Sequence, residues 1–272
     1  MSVRNPVVRA RGSTVMTAIG SMIAAGLLLT PTGDAAEAGL QAVTSVADPT
    51  VGPLFENGLA TGHSCTASVL NAGRDLLLTA AHCVTGTGAG VQFAPGYDGT
   101  SGDPTPYGVW TVTGTYVPTR WLQDQDADHD YAILQVADLD VDGRAESINE
   151  MTGGNDIPLF QQSTGLVTVP AYNAGANDAP IRCVTSATVD QPVPAFTCGG
   201  YSSGTSGAPW LRDSGDPGRR VVVGIIGGPY QGGCWDSVSY SPKFDGGVFA
   251  LLLRATLNLQ PDDVPAANDS GC

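Results

Sequence analysis

Apolar residues recur along the chain in short runs of strand-forming residues, and Gly, Asn, Asp and Pro separate the runs. Helical periodicity is weak until the end of the chain, and short apolar runs bounded by turn residues are typical of strands. The candidate strands lie at residues 66–70, 75–79, 107–117, 130–136, 165–171, 180–189, 195–199 and 219–226. The pattern predicts an all-β fold.

These strands fall into two β-rich halves on either side of a stretch rich in Gly and Asp. We assign residues 51–140 to an N-terminal barrel, residues 141–157 to a linker and residues 158–245 to a C-terminal barrel. Two β-barrels or sandwiches of about 100 residues each suit the length of the chain.

The two ends of this β-rich region differ in pattern. Residues 246–258 carry a convincing helical pattern, and an acidic, Pro-containing tail follows at 259–272. Such a composition predicts a mobile tail. At the other end, residues 39–50 are either a propeptide or a first strand.

The first 38 residues have the three parts of a secretory signal peptide. Residues 1–11 carry three arginines and no acid, residues 15–29 are uncharged and mostly apolar, and a small-x-small pattern ends at Ala38. The apolar run is shorter than the roughly 20 residues that a spanning helix needs, which disfavours a membrane anchor. We therefore expect a secreted, extracellular protein with no membrane partner once residues 1–38 are removed.

The chain is acidic, with 12 Lys and Arg against 26 Asp and Glu and a formal charge of −14. Nucleic acid is not an expected partner, because a phosphate backbone is bound by clusters of Lys and Arg. A hydrophobic fraction of 42% is enough to build a buried core.

The alternating aspartates at 124–130 raise the alternative of calcium binding. An EF-hand loop needs Gly at its sixth position and Glu at its twelfth, where this run has His129 and Gln135. A solvated acidic loop that leads into the next strand is the favoured interpretation. We therefore expect no metal site and no cofactor.

Three short motifs contain the residue types of a nucleophilic hydrolase. His82 lies in the sequence TAAHC at the end of an apolar strand, and Asp130 opens the strand DYAIL. Ser206 lies in GTSGAP, where glycines on both sides let the backbone turn sharply and expose the hydroxyl. A serine attacks a carbonyl only when an adjacent base takes its proton, and imidazole is suited to that role.

In this chain order the three motifs resemble those of the chymotrypsin-like (trypsin-like) serine peptidases, and of their bacterial secreted members in particular. The similarity covers about residues 50–258. It implies two packed six-stranded antiparallel β-barrels with a C-terminal helix. It also implies a monomer that hydrolyses polypeptide substrates through an acyl-enzyme.

The resemblance assigns a role to each residue of the motifs. Ser206 is the nucleophile, His82 is the general base, and a buried Asp130 holds the imidazole in one tautomer. The backbone N–H groups of Gly204 and Ser206 form the oxyanion hole. Thr205 stands where the zymogen-activated branch of the family has a carboxylate, so the active loop should not depend on an ion pair with a newly cut N-terminus.

The resemblance also places the substrate pocket around Gly200, Gly227 and Gly228. Members that cleave after Arg or Lys have an Asp six positions before the serine, and Gly200 at that place does not support a basic preference. Gly227 and Gly228, followed by Pro229, match the strand that pairs with the substrate backbone. Lys243 falls near another pocket wall and could favour acidic side chains, although a solvated surface lysine is the simpler interpretation.

Six cysteines in an exported chain indicate disulfides. The family shows a pair that flanks the histidine strand, and a second pair brackets two adjacent strands before the serine. The expected pairs are Cys65 with Cys83 and Cys183 with Cys198. Because six cysteines allow fifteen pairings, the pairing of Cys234 and Cys272 stays open.

The chain order of the motifs and the surroundings of the other histidines bear on the rival interpretations. An α/β-hydrolase places its histidine after the nucleophile, and all three histidines precede Ser206, so that fold is excluded for this serine. His129 sits among aspartates and is expected at the surface, and His63 is expected to be structural or exposed. Two alternatives stay open: a catalytically inactive binding module on the same fold, and an esterase that uses the same triad.

Overall fold

The structure of the protein is a computed structural model that describes residues 39–158, 163–190, 193–269 and 271–272. The chain divides into two units, Met1–Ala38 and Gly39–Cys272. The predicted signal peptide coincides with the first unit and lies outside the described residues. Across the described ranges, no helix is both long enough and apolar enough to cross a membrane.

Strands dominate the described residues, and helices are few and short. The strands are β1 Val43–Thr44, β2 Val51–Phe55, β3 Cys65–Val69, β4 Leu76–Thr79, β5 Gln92–Phe93, β6 Trp110–Tyr116, β7 Ala132–Val136, β8 Leu139–Val141, β9 Arg144–Glu146, β10 Gly165–Ala171, β11 Ile181–Asp190, β12 Val193–Thr197, β13 Pro209–Asp213, β14 Arg220–Ile225 and β15 Val238–Tyr240. The α-helices are α1 Thr119–Asp124, α2 Ile148–Thr152 and α3 Gly246–Thr256. Single 3₁₀ turns lie at Leu59–Thr61, Ala81–Cys83 and Ala127–His129. A tight turn at Pro229–Gly232 has left-handed φ at Tyr230 and Gln231. The predicted all-β fold with a C-terminal helix is confirmed.

The N-terminal half closes into a barrel with the strand order β2-β3-β4-β7-β6-β5. Every position of β2, β3 and β4 is buried, so both faces of these strands are covered. This explains why β4 has a continuous apolar run, LLLT, rather than an alternating pattern. The barrel interior is the larger of the two hydrophobic cores.

The C-terminal half is an open half-barrel with the order β14-β13-β10-β11-β12-β15, and β1 pairs with β11 outside this path. Six strands were expected to close into a second barrel. The open seam of this sheet lies between its two end strands, β14 and β15. At the seam the Ile225 amide donates to the side-chain Oγ of Ser241 at 3.1 Å rather than to a backbone carbonyl. The Gly227 amide donates to the carbonyl of Tyr240 at 3.0 Å. The seam is thus closed by individual bonds rather than by paired strands.

Several strands of the structure were not predicted from the sequence. β2 contains Gly52 and Pro53, two residue types that normally interrupt strands. β5 and β15 are two and three residues long, which is too short for an apolar or alternating strand pattern to be recognised. The sheet context, rather than local preference, makes these segments extended.

The segment 141–157, expected to be a linker, contains ordered structure. β8 and β9 pair as a small hairpin, and helix α2 follows. The Asp75 carboxylate accepts hydrogen bonds from the Ser147 hydroxyl at 2.6 Å and from the Ile148 amide at 2.9 Å. The Asp75 carboxylate therefore caps the N-terminus of α2 and anchors the segment to the N-terminal barrel.

The described residues of the tail, 259–269 and 271–272, contact the rest of the protein at several points, whereas the composition of the tail predicts mobility. Val264 is buried and exchanges both backbone hydrogen bonds with Gly86, each at 2.8 Å. The last residue, Cys272, is joined by a disulfide to Cys234. A covalent closure of this kind supplies the ordering that composition alone cannot.

A partly buried ion pair connects the two halves. Asp48 precedes β2, and its carboxylate accepts from both terminal nitrogens of Arg220 at the start of β14, one of them at 2.9 Å. Burial by itself would raise the pKa of the Asp48 carboxyl, but the hydrogen bonds and charge of Arg220, together with Thr50, hold that pKa below its ordinary value. The ionised carboxylate therefore contributes to stability.

Replacing Asp48→Asn should lower the free energy of unfolding at neutral pH by about 2 kcal/mol, because it leaves Arg220 without its charged partner. Since the folded pKa of Asp48 is depressed, the loss should shrink as the pH falls through about 4, where the unfolded carboxyl takes up its proton. Urea unfolding at several pH values measures this. Asp124→Asn, in an exposed ion pair with Arg120 at 3.9 Å, is the control and should change little. An equal loss at acidic and neutral pH would contradict a role for the charge.

Candidate active site

Strand pairing brings His82 and Asp130 together. β4 pairs with β7 so that Thr79 lies opposite Ala132. His82 follows the end of β4 in a 3₁₀ turn, and Asp130 precedes the start of β7. Nδ1 of His82 lies 2.7 Å from Oδ2 of Asp130. The two residues are 48 positions apart in the chain, and the ladder makes them neighbours.

The Asp130 carboxylate is fully buried, and N–H groups compensate its charge. Besides the ring nitrogen, the His82 backbone amide donates to Oδ1 at 3.0 Å, and the Gly228 amide donates to Oδ2 at 2.8 Å. Because a carboxylate accepts, the contact assigns the ring proton to Nδ1. Nε2 of His82 is then left as the ring's acceptor.

Ser206 sits on a loop that only glycine can form at two positions. Gly204 has φ 97° and Gly207 has φ 81°, and both values lie in the left-handed region. A Cβ on Gly204 would lie 2.1 Å from the Ala174 nitrogen, and a Cβ on Gly207 would lie 2.2 Å from the Thr66 carbonyl oxygen. The glycines of GTSGAP are thus required by close approach as well as by φ.

Thr66 of β3 holds this loop against the N-terminal barrel. Its hydroxyl donates to the Gly204 carbonyl at 2.9 Å, and its amide donates to the Ser206 carbonyl at 2.8 Å. The backbone amides of Gly204 and Ser206 donate to no acceptor among the described residues. Two such free amides on a glycine turn can bind a developing oxyanion.

Thr205 is buried and bonded within its own turn. Its hydroxyl donates to the Ser202 carbonyl at 2.8 Å, and its amide donates to the same oxygen at 3.2 Å. The Ala208 amide in turn donates to the Thr205 carbonyl at 2.9 Å. These local bonds brace the loop without an ion pair.

His82 and Ser206 line one cleft of about 500 Å³. Its walls include Glu56, Tyr201, Ser203, Tyr230, Trp235 and Asp236. The Ser206 hydroxyl donates to the backbone carbonyl of Gln231 at 3.5 Å. The His82 imidazole and the Ser206 hydroxyl therefore line the same cleft, and the Gln231 carbonyl in the cleft wall contacts the hydroxyl.

The predicted pocket glycines are not among the residues that line this cleft. Gly200 packs against Ala42 and accepts a hydrogen bond from the Asn173 side chain at 3.1 Å. Gly227 lies against Asp130, and Gly228 donates to its carboxylate. The resemblance matched Gly227 and Gly228, followed by Pro229, to the strand that pairs with the substrate backbone; in the structure Pro229–Gly232 forms a tight turn.

Lys243 takes no part in the cleft lining. Its Nζ lies 3.2 Å from Oδ2 of Asp128, and both side chains are exposed. The interpretation as a surface lysine fits this position.

The disulfides of the structure are Cys65–Cys83, Cys183–Cys198 and Cys234–Cys272. The first joins β3 to the residue that follows His82, so it fastens the histidine turn to the barrel. The second joins β11 to the residue that follows β12. The third connects the cleft wall to the end of the chain.

The other two histidines make structural contacts. His63 is buried between Phe55, Tyr97 and Tyr172, and its Nε2 lies 2.8 Å from Oδ1 of Asp178. This pair accounts for the side chain without a role in the cleft.

His129 is partly exposed, with Nδ1 3.3 Å from Oδ2 of Asp126. The neighbouring aspartates are also engaged: Asp126 caps the 3₁₀ turn by accepting from the Asp128 amide at 3.0 Å, and Asp128 pairs with Lys243. Of the aspartates at 124–130, Asp130 alone reaches His82 among the described contacts.

Sequence reasoning missed two backbone contacts of the site. The Gly228 amide donates to the Asp130 carboxylate, and the Gln231 carbonyl accepts from the Ser206 hydroxyl. Main-chain groups carry no residue-type signal, so no pattern could have identified them.

Comparison with known proteins agrees with this architecture. A family model described as the trypsin-like peptidase domain matches residues 65–225, which is more than half of the chain. The chain therefore belongs to the trypsin-like peptidase family. A comparison with curated proteins returns no match.

Solved structures of two bacterial or extremophile proteases and of a heparin binding protein share the fold. The protease Anisep from Arthrobacter nicotinovorans has a TM-score of 0.63 at 21% identity, and the match covers 79% of this chain and 98% of the Anisep chain. The thermostable serine protease AL20 from an extremophilic microorganism has a TM-score of 0.61 at 23% identity, covering 77% and 98%. Human heparin binding protein has a TM-score of 0.59 at 15% identity, covering 84% and 100%. At these identities the likeness is one of fold.

The close approach at Gly207 generates a stability prediction. Gly207→Ala should lower the free energy of unfolding by roughly 2 kcal/mol or more beyond a matched control, because its Cβ meets the Thr66 carbonyl. The control is Gly215→Ala, which has φ 93° but no atom within 4 Å of the added Cβ. Urea unfolding of both variants separates the cost of positive φ from the cost of the contact. Equal losses would show that the approach to Thr66 is not limiting.

Proposed function

We propose that this protein is a secreted serine endopeptidase that acts through Ser206, His82 and Asp130. The observation that carries the proposal is the 2.7 Å contact between the His82 ring and the buried Asp130 carboxylate, together with the cleft that His82 and Ser206 both line. Three disulfides support secretion, since such bonds persist in oxidising compartments.

The reaction follows from the proton positions. Oγ of Ser206 turns from the Gln231 carbonyl towards His82, forms a bond to the carbonyl carbon of the substrate, and gives its proton to Nε2. The C–N bond then breaks, and the amine leaves with that proton. Water repeats the sequence: its oxygen bonds to the acyl carbon, its proton passes to Nε2, and the ester bond to Ser206 breaks as Oγ recovers the proton.

Asp130 and the glycine turn support these steps. The carboxylate stabilises the imidazolium that forms when His82 takes the proton. The amides of Gly204 and Ser206 stabilise the oxyanion, and each such donor lowers the activation barrier by about 3 kcal/mol in comparable sites.

An inactive binding module is the first alternative. The charge of the chain disfavours a module that binds polyanions. Human heparin binding protein shares the fold, and heparin is a polyanion. This chain has a formal charge of −14, which repels polyanions. A binding module also has no need of the His82–Asp130 contact.

An esterase is the second alternative, because the acyl chemistry is shared. The deciding experiment incubates the protein with casein and with a short-chain ester, and uses a serine-directed phosphonate as the inhibitor. Hydrolysis of both, blocked by the phosphonate, supports an endopeptidase. Ester cleavage alone supports the esterase, and no phosphonate-sensitive turnover supports a binding module.

Replacing Ser206→Ala or His82→Ala should each remove nearly all turnover, and the double variant should lose little more, because the residues act as a unit. Initial rates on a peptide substrate measure these losses. Full activity of Ser206→Ala would refute the assignment.

Asp130→Asn should lower kcat by about 10⁴-fold with little change in KM, because an amide at this position favours the wrong tautomer of the imidazole. Asp124→Asn is the control from the same acidic run, since Asp124 is exposed and pairs only with Arg120 among the described residues. Steady-state kinetics on one peptide compares the two. A similar loss in both variants would contradict a specific role for Asp130.

A further inference from the structure

One wall of the cleft is in direct contact with the hydroxyl of Ser206. We call Gly228–Cys234 the wall segment. The carbonyl of Gln231 accepts the hydrogen bond of Ser206 Oγ at 3.5 Å. In this arrangement the hydroxyl is directed at the wall segment.

The wall segment has an unfavourable backbone conformation at two consecutive residues. Tyr230 has φ 55° and Gln231 has φ 53°, values that residues with a Cβ rarely adopt. Neither residue is glycine, although glycines are available on both sides of the pair. A conformation of this kind persists only where surrounding contacts hold it.

The turn's own backbone bonds and the Tyr240 ring contact this segment, and two further contacts come from the end of the chain. We call residues 264–269 together with Cys272 the strap. Nε2 of Gln231 donates to the carbonyl of Asn268 at 2.7 Å, and Cys234 is joined to Cys272. The strap thus holds the wall segment once by a hydrogen bond and once by a covalent bond.

The strap is itself anchored away from the cleft. Gln125, at the end of α1, donates to the Ala266 carbonyl at 2.7 Å and accepts from the Asn268 amide at 2.6 Å. Val264 bonds to Gly86 on the N-terminal barrel. The wall segment is therefore tied, through the strap, to a part of the barrel that does not line the cleft.

We propose that the strap is an autoinhibitory device, a proposal that rests on the proposed peptidase function. It holds the wall segment as a turn against Ser206, so the hydroxyl is engaged and no extended edge is offered to a substrate backbone. Peptide binding requires the wall segment to leave this turn. A protein whose strap is detached should open more readily and should react faster at Ser206.

The test detaches the strap in two independent ways in the full chain. Cys234→Ser with Cys272→Ser removes the covalent link, and Gln125→Gly removes the two anchoring side-chain bonds while keeping a residue that tolerates the φ of 50° at this position. Cys183→Ser with Cys198→Ser is the matched control, because it removes a disulfide that does not contact the strap. Circular dichroism confirms that each protein is folded.

Two readouts are measured on every protein. The first is the rate at which a serine-directed phosphonate labels Ser206, together with kcat/KM on an unstructured peptide. The second is amide hydrogen exchange in the wall segment, which needs no activity. Both strap variants should label several-fold faster than the unsubstituted protein and exchange faster in the wall segment, while the control should do neither.

Each result decides a separate question. Labelling that is unchanged or slower in both strap variants overturns the autoinhibitory proposal, since the strap would then support the site rather than close it. Absence of labelling in every protein overturns the proposed peptidase function instead. The strap is then judged by hydrogen exchange: an increase confined to the wall segment supports its role as a latch, and no increase overturns it.

Discussion

The buried carboxylate of Asp130 is the group on which the arrangement of the site depends. A charge removed from water is tolerated only when donors surround it, and here these are the amide and ring of His82 and the amide of Gly228. The donors come from the end of β4 and from the chain that follows β14. Satisfying one carboxylate therefore orients the imidazole and brings the C-terminal half against the barrel.

Thr66 provides the second joint between the two halves. It donates to both carbonyls of the serine loop, at Gly204 and Ser206, and its hydroxyl also accepts from the Tyr172 amide at 3.1 Å. A small side chain on a barrel strand thus positions a loop of the other half, while the glycines of that loop allow the approach. The His82 imidazole and the Ser206 hydroxyl share a cleft because the Asp130 contacts and the Thr66 contacts both hold the C-terminal half against the N-terminal barrel.

The tail shows how a covalent bond can reverse an expectation from composition. Residues 259–272 are polar and acidic, and Val264 is a rare buried apolar residue among them. The Cys234–Cys272 bond closes the segment into a loop, and Gln125 and Gly86 pair with its backbone. Its position beside the wall segment makes the end of the chain part of the cleft's surroundings.

The sequence by itself determined the fold class, most long strands, the C-terminal helix and the three motifs. These features are local: apolar runs specify strands, and a reactive residue type within a short motif can be read without coordinates. β10 begins and ends where the pattern placed it, at Gly165 and Ala171. The Gly-Thr-Ser-Gly turn was equally legible, because only glycine tolerates its backbone conformation.

Only the tertiary structure decided how the C-terminal sheet closes and where the tail lies. Among the aspartates at 124–130, the sequence indicated Asp130 because it adjoins an apolar strand, and the register of β4 with β7 brings that residue to His82. Gly228 and Gln231 act through backbone atoms that every residue has. Contacts between segments far apart in the chain depend on strand register, burial and cross-links, and a local pattern of residue types contains none of these.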